Sequence, residues 1–195
     1  MKIMDNFFTE DWKRELFTIP NMMSFFRLIL IPVFAVVYLC ADTTKDYYVA
    51  AGILMVSTIT DFLDGQIARR FNMISKFGIA LDPFADKLTH GIVMACLATR
   101  YPIMWVLFGL SFIKEGFMFV MGTFFLKKGK MLSGAKWFGK ICTALLFFVL
   151  VAFVAIPNIP VFYVNLLVII CATVMIFTLA MYIPVFVRMK QETTN

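Results

Sequence analysis

Charged residues are scarce in this sequence. Of its 195 residues only 15% are charged, whereas 62% are apolar and 16% aromatic. Soluble domains contain about 25% charged and about 45–50% apolar residues. A chain of this length cannot bury so much apolar surface in one core, and the composition also excludes a disordered chain or a nucleic-acid-binding protein. We therefore expect a membrane protein with a single domain, residues 1–195.

Cysteine and histidine are also rare. The four cysteines lie far apart within apolar runs, and there is no CxxC or Cys/His spacing, so we interpret them as small buried hydrophobic residues. The single histidine, His90, follows Asp86 by four residues and shares its helical face. It could hydrogen-bond Asp86, but we interpret it as a histidine inside a polar groove and not as a metal ligand.

Six apolar stretches are long enough to cross a hydrocarbon core of about 30 Å as helices. The runs do not alternate apolar and polar residues, which disfavours a membrane β-barrel. Within residues 1–20, Phe8, Trp12 and Leu16 recur at intervals of four, which indicates a short helix lying at the membrane surface. The predicted fold is an all-α integral membrane protein with this interfacial helix and six transmembrane helices at 22–40, 47–67, 83–99, 102–126, 137–156 and 161–187.

Lysine and arginine are distributed unevenly around the predicted spans. Twelve lie in the two terminal segments and in the second and fourth connections, against two in the other connections, Lys45 and Arg100. Positive residues accumulate on the cytoplasmic side of membrane proteins. We therefore expect a multi-pass protein of the cell membrane with both termini in the cytoplasm. The net charge of +6 favours anionic membrane lipids or an anionic substrate as partners.

Four of the twelve acidic residues lie between positions 61 and 86: Asp61, Asp64, Asp82 and Asp86. Ionisable residues within membrane helices are costly and usually functional. The helical period places Asp61 and Asp64 on one face, and Asp82 and Asp86 on one face of the next helix. A short connection makes these helices antiparallel neighbours, so the carboxylates converge at the cytoplasmic edge. Such an all-oxygen cluster suits hard divalent cations, and two ions would balance four charges.

Small residues and an arginine lie on the same face as the first two aspartates. Gly65 and Ala68 permit close approach of a ligand, and Arg69 adds a fixed positive charge. Carboxylate-held metals beside such residues are typical of sites that bind a diphosphate and catalyse displacement at phosphorus. The alternative is a group of solvated interfacial acids paired with nearby basic residues, which would not require the small residues.

Residues 61–86 match the pattern D-x2-D-G-x2-A-R-x8-G-x3-D-x3-D at every fixed position. This pattern resembles the signature of the CDP-alcohol phosphatidyltransferase family. The resemblance implies a homodimer with two divalent cations, Mg²⁺ or Mn²⁺, that transfers a phosphatidyl group from a CDP-linked lipid such as CDP-diacylglycerol to an alcohol and releases CMP.

The resemblance also implies roles for individual residues. Asp61, Asp64, Asp82 and Asp86 would be metal ligands, and Asp86 would also be the general base for the acceptor hydroxyl. The residues implied at the CDP moiety are Asp61, Asp64, Gly65, Ala68, Arg69 and Gly78. The active site would face the cytoplasm.

Three further segments resemble the phosphatidylglycerophosphate synthase branch of that family. They are Thr18–Pro32, Leu81–Lys87 and the Gly-Lys-x-x-Thr sequence at 139–143. They imply glycerol 3-phosphate as acceptor, with Arg27, Lys114 and Lys140 as acceptor-binding residues. The chain departs from the branch at Lys114, where an arginine is usual, so cardiolipin synthases of the same fold and other acceptors stay open. A cation transporter and a membrane prenyltransferase are alternatives from other classes.

Overall fold

The computed structural model describes residues 18–70, 76–127 and 137–194, and these residues form six α-helices. The helices are α1 (Ile19–Leu39), α2 (Thr44–Arg70), α3 (Lys76–Arg100), α4 (Met104–Lys127), α5 (Trp137–Ala155) and α6 (Val161–Thr194). The chain divides into two compact units within α3, between Val93 and Met94. The predicted interfacial helix within residues 1–20 falls almost entirely outside the described residues.

Local signals in the sequence account for the helix starts in the first unit. Pro20 lies in the first turn of α1, where the missing N–H has no partner to lose. At the start of α2, the Asp46 carboxylate accepts hydrogen bonds from the backbone N–H and the hydroxyl of Thr43. These bonds hold the pKa of Asp46 below its ordinary value. Asp46 thus caps the N-terminal end of α2 by binding the residue just before the helix.

In the first unit, α1 packs along α2. The inward face of α1 buries Ile31, Phe34 and Tyr38, and α2 contributes Ala50 and Leu54. Alanines on α2 allow the two helices to approach closely, as small residues do in membrane helix pairs. The N-terminal half of α3 completes this unit, since a small apolar cavity is lined by residues of all three helices: Leu30, Ile31, Phe34, Ile53, Leu54, Ser57, Thr89 and Val93.

In the second unit, α4 and α5 each pack against α6. Their contact is built on buried aromatic residues. The rings of Phe125 and Phe186 stack with centroids 5.8 Å apart, and those of Phe138 and Tyr182 meet edge to face at 4.8 Å. Such ring pairs stabilise the packing of the helices by more than the burial of their apolar surface does.

A glycine allows this close packing between α5 and α6. A Cβ added at Gly139 would lie 2.5 Å from the Tyr182 hydroxyl oxygen, and Tyr182 is held by Phe138 and Phe186. We expect Gly139→Ala to lower the free energy of unfolding by about 1–3 kcal/mol, as overpacking does elsewhere. Thermal melting in detergent would measure this. Tyr182→Phe removes the clashing oxygen, so Gly139→Ala should cost less in that background; an equal cost in both backgrounds would contradict the packing argument.

Four of the six helices are long and apolar enough to cross a membrane within the described part of the chain. They contain the stretches Asn21–Leu39, Met104–Phe125, Trp137–Ala155 and Val161–Val187, which match four of the predicted spans. Large apolar side chains such as Ile29, Phe112 and Phe148 are exposed along them, as expected of lipid-facing surfaces. The chain is thus an all-α membrane protein.

The predicted spans at 47–67 and 83–99 lie within α2 and α3 but are not among these four stretches. Both helices have the length required, with 27 and 25 residues. Their aspartates interrupt the apolar surface, Asp61 and Asp64 in α2 and Asp82 and Asp86 in α3. The same residues that lower the apolar character of these two helices therefore form the candidate site.

Candidate active site

The candidate site begins on the first helix. Asn21, Ser24 and Arg27 recur every third residue of α1, and all three side chains are buried. Every third or fourth residue of a helix lies on the same face, and that face continues with the buried Ile31 and Phe34. One end of the inward face of α1 is therefore polar, and the rest is apolar.

Arg27 joins α1 to the two aspartates of α2. Its Nη2 atom donates a hydrogen bond of 2.5 Å to Oδ2 of Asp64, and its Nη1 atom forms an ion pair with Oδ1 of Asp61. The side chains of Arg27 and Asp64 are only 2% and 4% exposed, whereas that of Asp61 is 45% exposed. Arg27 thus holds one carboxylate inside the unit and one at its surface.

The two aspartates of α3 lie near these groups. The Ser24 hydroxyl donates a 2.5 Å hydrogen bond to Oδ1 of Asp82, which links α1 to α3. The Asp86 side chain is 45% exposed, and its Oδ1 atom lies 3.9 Å from Nδ1 of His90. That separation is too long for a hydrogen bond, so this contact is an ion pair only when His90 is protonated.

The four carboxylates lie within electrostatic reach of one another. Asp61 experiences the charges of Asp82 and Asp86, and Asp64 experiences those of Asp61 and Asp82. Like charges so placed repel unless cations neutralise them. These interactions bring the carboxylates of α2 near those of α3, whereas a shared site for all four stays a prediction.

The donors fit a hard divalent cation in their chemistry. Every side chain in the cluster offers oxygen, and two of the carboxylates are open to the surface. Mg²⁺ and Mn²⁺ prefer carboxylate and water oxygens. Among the described residues, however, no group of three acidic, histidine or cysteine side chains is close enough to form a metal centre. Arg27, and not a third carboxylate, lies against Asp61 and Asp64.

The other predicted site residues lie elsewhere on the helices. Gly65, Ala68 and Arg69 belong to α2, and Gly78 belongs to α3. The structure describes the backbone at these four positions but not their side-chain contacts. In the second unit, Lys114 is buried and its Nζ atom lies 3.1 Å from Oε1 of Glu115, while Lys140 is exposed on α5. Lys114 therefore has a charged partner on its own helix.

Sequence reasoning assigned no role to Ser24 and Asn21. Ser24 binds Asp82 directly, and Asn21 is 1% exposed on the same face. The sequence feature that could have identified them is their spacing. Three polar residues, each three positions apart, lie at the start of an otherwise apolar span. That pattern indicates an inward polar face on α1, since a lone polar residue facing lipid is costly.

Comparison with known proteins identifies the family. Residues 17–187 match the model of the CDP-alcohol phosphatidyltransferase family. The chain belongs to this family. The resemblance of residues 61–86 to the family signature is thereby confirmed.

Several proteins of Shigella and Escherichia coli are similar to the chain. A protein of Shigella flexneri serotype 5b, named CDP-diacylglycerol--glycerol-3-phosphate 3-phosphatidyltransferase, is 35% identical over 153 residues, which are 77% of this chain and 84% of that protein. A protein of the same name from Escherichia coli strain K12 is 35% identical over 130 residues, 65% of this chain and 71% of its own length. The similarity extends far beyond the aspartate motif.

Proposed function

We propose that this protein transfers the phosphatidyl group of CDP-diacylglycerol to glycerol 3-phosphate, which gives phosphatidylglycerophosphate and CMP. The observation that carries the proposal is the similarity to proteins named for this reaction, at 35% identity over 77% of the chain. The acidic cluster of α2 and α3 supplies the chemistry that such a transfer needs. The enzyme is thus a CDP-diacylglycerol-dependent phosphatidyltransferase of phospholipid biosynthesis.

Asp86 is the general base in this proposal. Its half-exposed carboxylate accepts the proton of the acceptor hydroxyl as the acceptor oxygen attacks the lipid-linked phosphorus. The new phosphorus–oxygen bond forms while the bond between that phosphorus and the CMP oxygen breaks, so the displaced electrons leave with CMP. A carboxylate near the surface can meet a water-soluble acceptor, which a buried one such as Asp64 cannot.

Asp61, Asp64, Asp82 and Asp86 would hold two divalent cations, Mg²⁺ or Mn²⁺. Bound cations would neutralise the diphosphate and stabilise the charge on the departing CMP. The chain's own groups bind and orient the substrates. Ser24 orients Asp82 by its hydrogen bond. We assign Gly65, Ala68, Arg69 and Gly78, together with Asp61 and Asp64, to the CDP moiety.

Arg27, Lys114 and Lys140 are the proposed acceptor-binding residues. Cationic side chains match the phosphate of glycerol 3-phosphate. Arg27 supports this assignment best, since it already lies against Asp61 of the site. Lys140 is exposed and therefore available to an anionic ligand.

The proposed architecture is a single membrane domain over residues 1–195, with six spans and an interfacial N-terminal segment at 1–20. The lysine and arginine distribution supports cytoplasmic termini and a cytoplasmic active site. This arrangement would keep the acyl chains in lipid while the nucleotide stays in water. We also propose a homodimer, as the family resemblance implies.

The reaction can be tested with purified full-length protein. Incubation with CDP-diacylglycerol and Mg²⁺ or Mn²⁺ should release CMP with glycerol 3-phosphate at least about tenfold faster than with phosphatidylglycerol or inositol phosphate. Asp46→Asn is a matched control, because it changes an aspartate of α2 far along the helix from Asp61, and it should keep this activity. CMP release only with phosphatidylglycerol would indicate a cardiolipin synthase. Cation binding without CMP release from any acceptor would favour a transporter.

A further inference from the structure

Arg27 is a buried arginine whose side-chain donors are not all hydrogen-bonded. Its side chain is 2% exposed, yet among the described residues its Nε atom has no hydrogen-bond partner, and Nη1 approaches Asp61 without hydrogen-bonding geometry. Within residues 18–70, 76–127 and 137–194, the hydrogen bond that Arg27 makes runs from Nη2 to Asp64. Buried arginines normally satisfy their donors. This one is therefore held mainly by charge.

Arg27 and a divalent cation would compete for the same two carboxylates, those of Asp61 and Asp64. One guanidinium contacts both carboxylates, and these are two of the four proposed metal ligands. A carboxylate oxygen that binds a divalent cation at about 2.1 Å cannot also keep a positive guanidinium at hydrogen-bonding distance on the same side without strong repulsion between the two cations.

We propose that Arg27 is an internal counter-ion that competes with divalent cations for Asp61 and Asp64. Without a divalent cation, the guanidinium keeps the two carboxylates together and offsets their repulsion. Cation binding displaces the guanidinium from at least one of them. This inference rests on the metal role in the proposed function and adds a coupling between cation binding and the position of an α1 side chain.

Two consequences follow from this competition. A chain without the Arg27 charge binds cations more tightly but is less stable when cation-free, because Asp61 and Asp64 then lack their partner. By linkage, a cation that displaces Arg27 makes that residue available to another anion. The Nε and Nη1 donors, which have no hydrogen-bond partner in the described part of the chain, could then bind a phosphate oxygen of a substrate.

The test measures Mn²⁺ binding to the full-length protein in detergent by electron paramagnetic resonance, without substrate. We expect Arg27→Gln to bind Mn²⁺ about tenfold more tightly than the unaltered protein, within the range typical of coupled sites. Its cation-free melting temperature should fall, and saturating Mn²⁺ should restore it. Arg100→Gln is the matched control, because it removes an arginine that hydrogen-bonds Asn158 and touches none of the four aspartates in the described contacts; it should leave Mn²⁺ affinity unchanged.

Arg27→Lys keeps the test decisive if Arg27→Gln does not fold. Lysine retains the charge but cannot contact two carboxylates with a rigid fork, so its Mn²⁺ affinity should lie above that of the unaltered protein. Equal or weaker Mn²⁺ binding by the folded Arg27 variants would overturn the competition while leaving the proposed function intact. No Mn²⁺ binding by the unaltered protein would overturn both the metal role and this inference.

Discussion

Asp86→Asn should reduce the rate of CMP release by at least about 10³-fold. An asparagine cannot accept the proton of the acceptor hydroxyl, and general bases contribute about 10²–10⁴-fold to enzymatic rates. Asparagine is nearly isosteric with aspartate, and the Asp86 side chain is 45% exposed in the native protein. The fold should therefore tolerate the change. The measurement is the initial rate of CMP release with CDP-diacylglycerol and glycerol 3-phosphate.

The control for this prediction is His90→Gln. His90 lies 3.9 Å from Asp86, beyond hydrogen-bonding distance, and it has no assigned step in the reaction. We expect a reduction below about tenfold for His90→Gln, with a melting temperature close to that of Asp86→Asn. If Asp86→Asn retained most of its activity, another group would have to be the base; if His90→Gln lost as much, the two residues would act together.

The helices of the second unit were predictable from local signals. The predicted spans 102–126 and 161–187 begin at or just after Pro102 and Pro160, and α4 and α6 begin close by, at Met104 and Val161. Proline cannot continue the hydrogen-bonding pattern of a helix, and this effect needs no tertiary contact. Hydropathy therefore located these spans closely.

The ends of helices α2 and α3 were predicted less well. The apolar stretches at 47–67 and 83–99 are shorter than the helices Thr44–Arg70 and Lys76–Arg100. Hydropathy marks the apolar part of a helix, whereas the backbone continues through polar residues as long as its hydrogen bonds are satisfied. In α3 the polar extension includes Asp82, so part of the candidate site lies outside the predicted span.

The partners of Arg27 could not be obtained from the sequence. Spacing puts Asp61 and Asp64 on one face of α2, but which α1 residue meets that face depends on the packing of the two helices. The packing of α1 against α2 brings Arg27 into contact with Asp61 and Asp64, which follow it in the sequence by more than 30 residues. From the sequence alone, Arg27 is equally compatible with a location at the membrane surface, since arginine near a span end often reaches that surface.

Asp64→Asn should destabilise the cation-free protein more than the same change at Asp82. Asp64 is buried and accepts a hydrogen bond from Nη2 of Arg27. Removing one partner of a buried ion pair costs about 3–5 kcal/mol, and the lower end, about 3 kcal/mol, is expected here because Arg27 keeps its contact with Asp61. Asp82 is less buried, and an asparagine there can still accept the Ser24 hydrogen bond, so Asp82→Asn should cost at most about 1 kcal/mol.

The two variants form a matched pair, because each removes one negative charge from the same acidic cluster. Thermal melting in detergent with a chelator present measures the stability of both variants. Each variant also relieves repulsion between carboxylates, which stabilises both of them. The order of melting temperatures should therefore report the Arg27 contact. Arg27→Gln combined with Asp64→Asn should cost less than the sum of the single changes, since each removes the same pairing. If Asp64→Asn melted as high as Asp82→Asn, the buried pair between Arg27 and Asp64 would not contribute to the stability of the cation-free state.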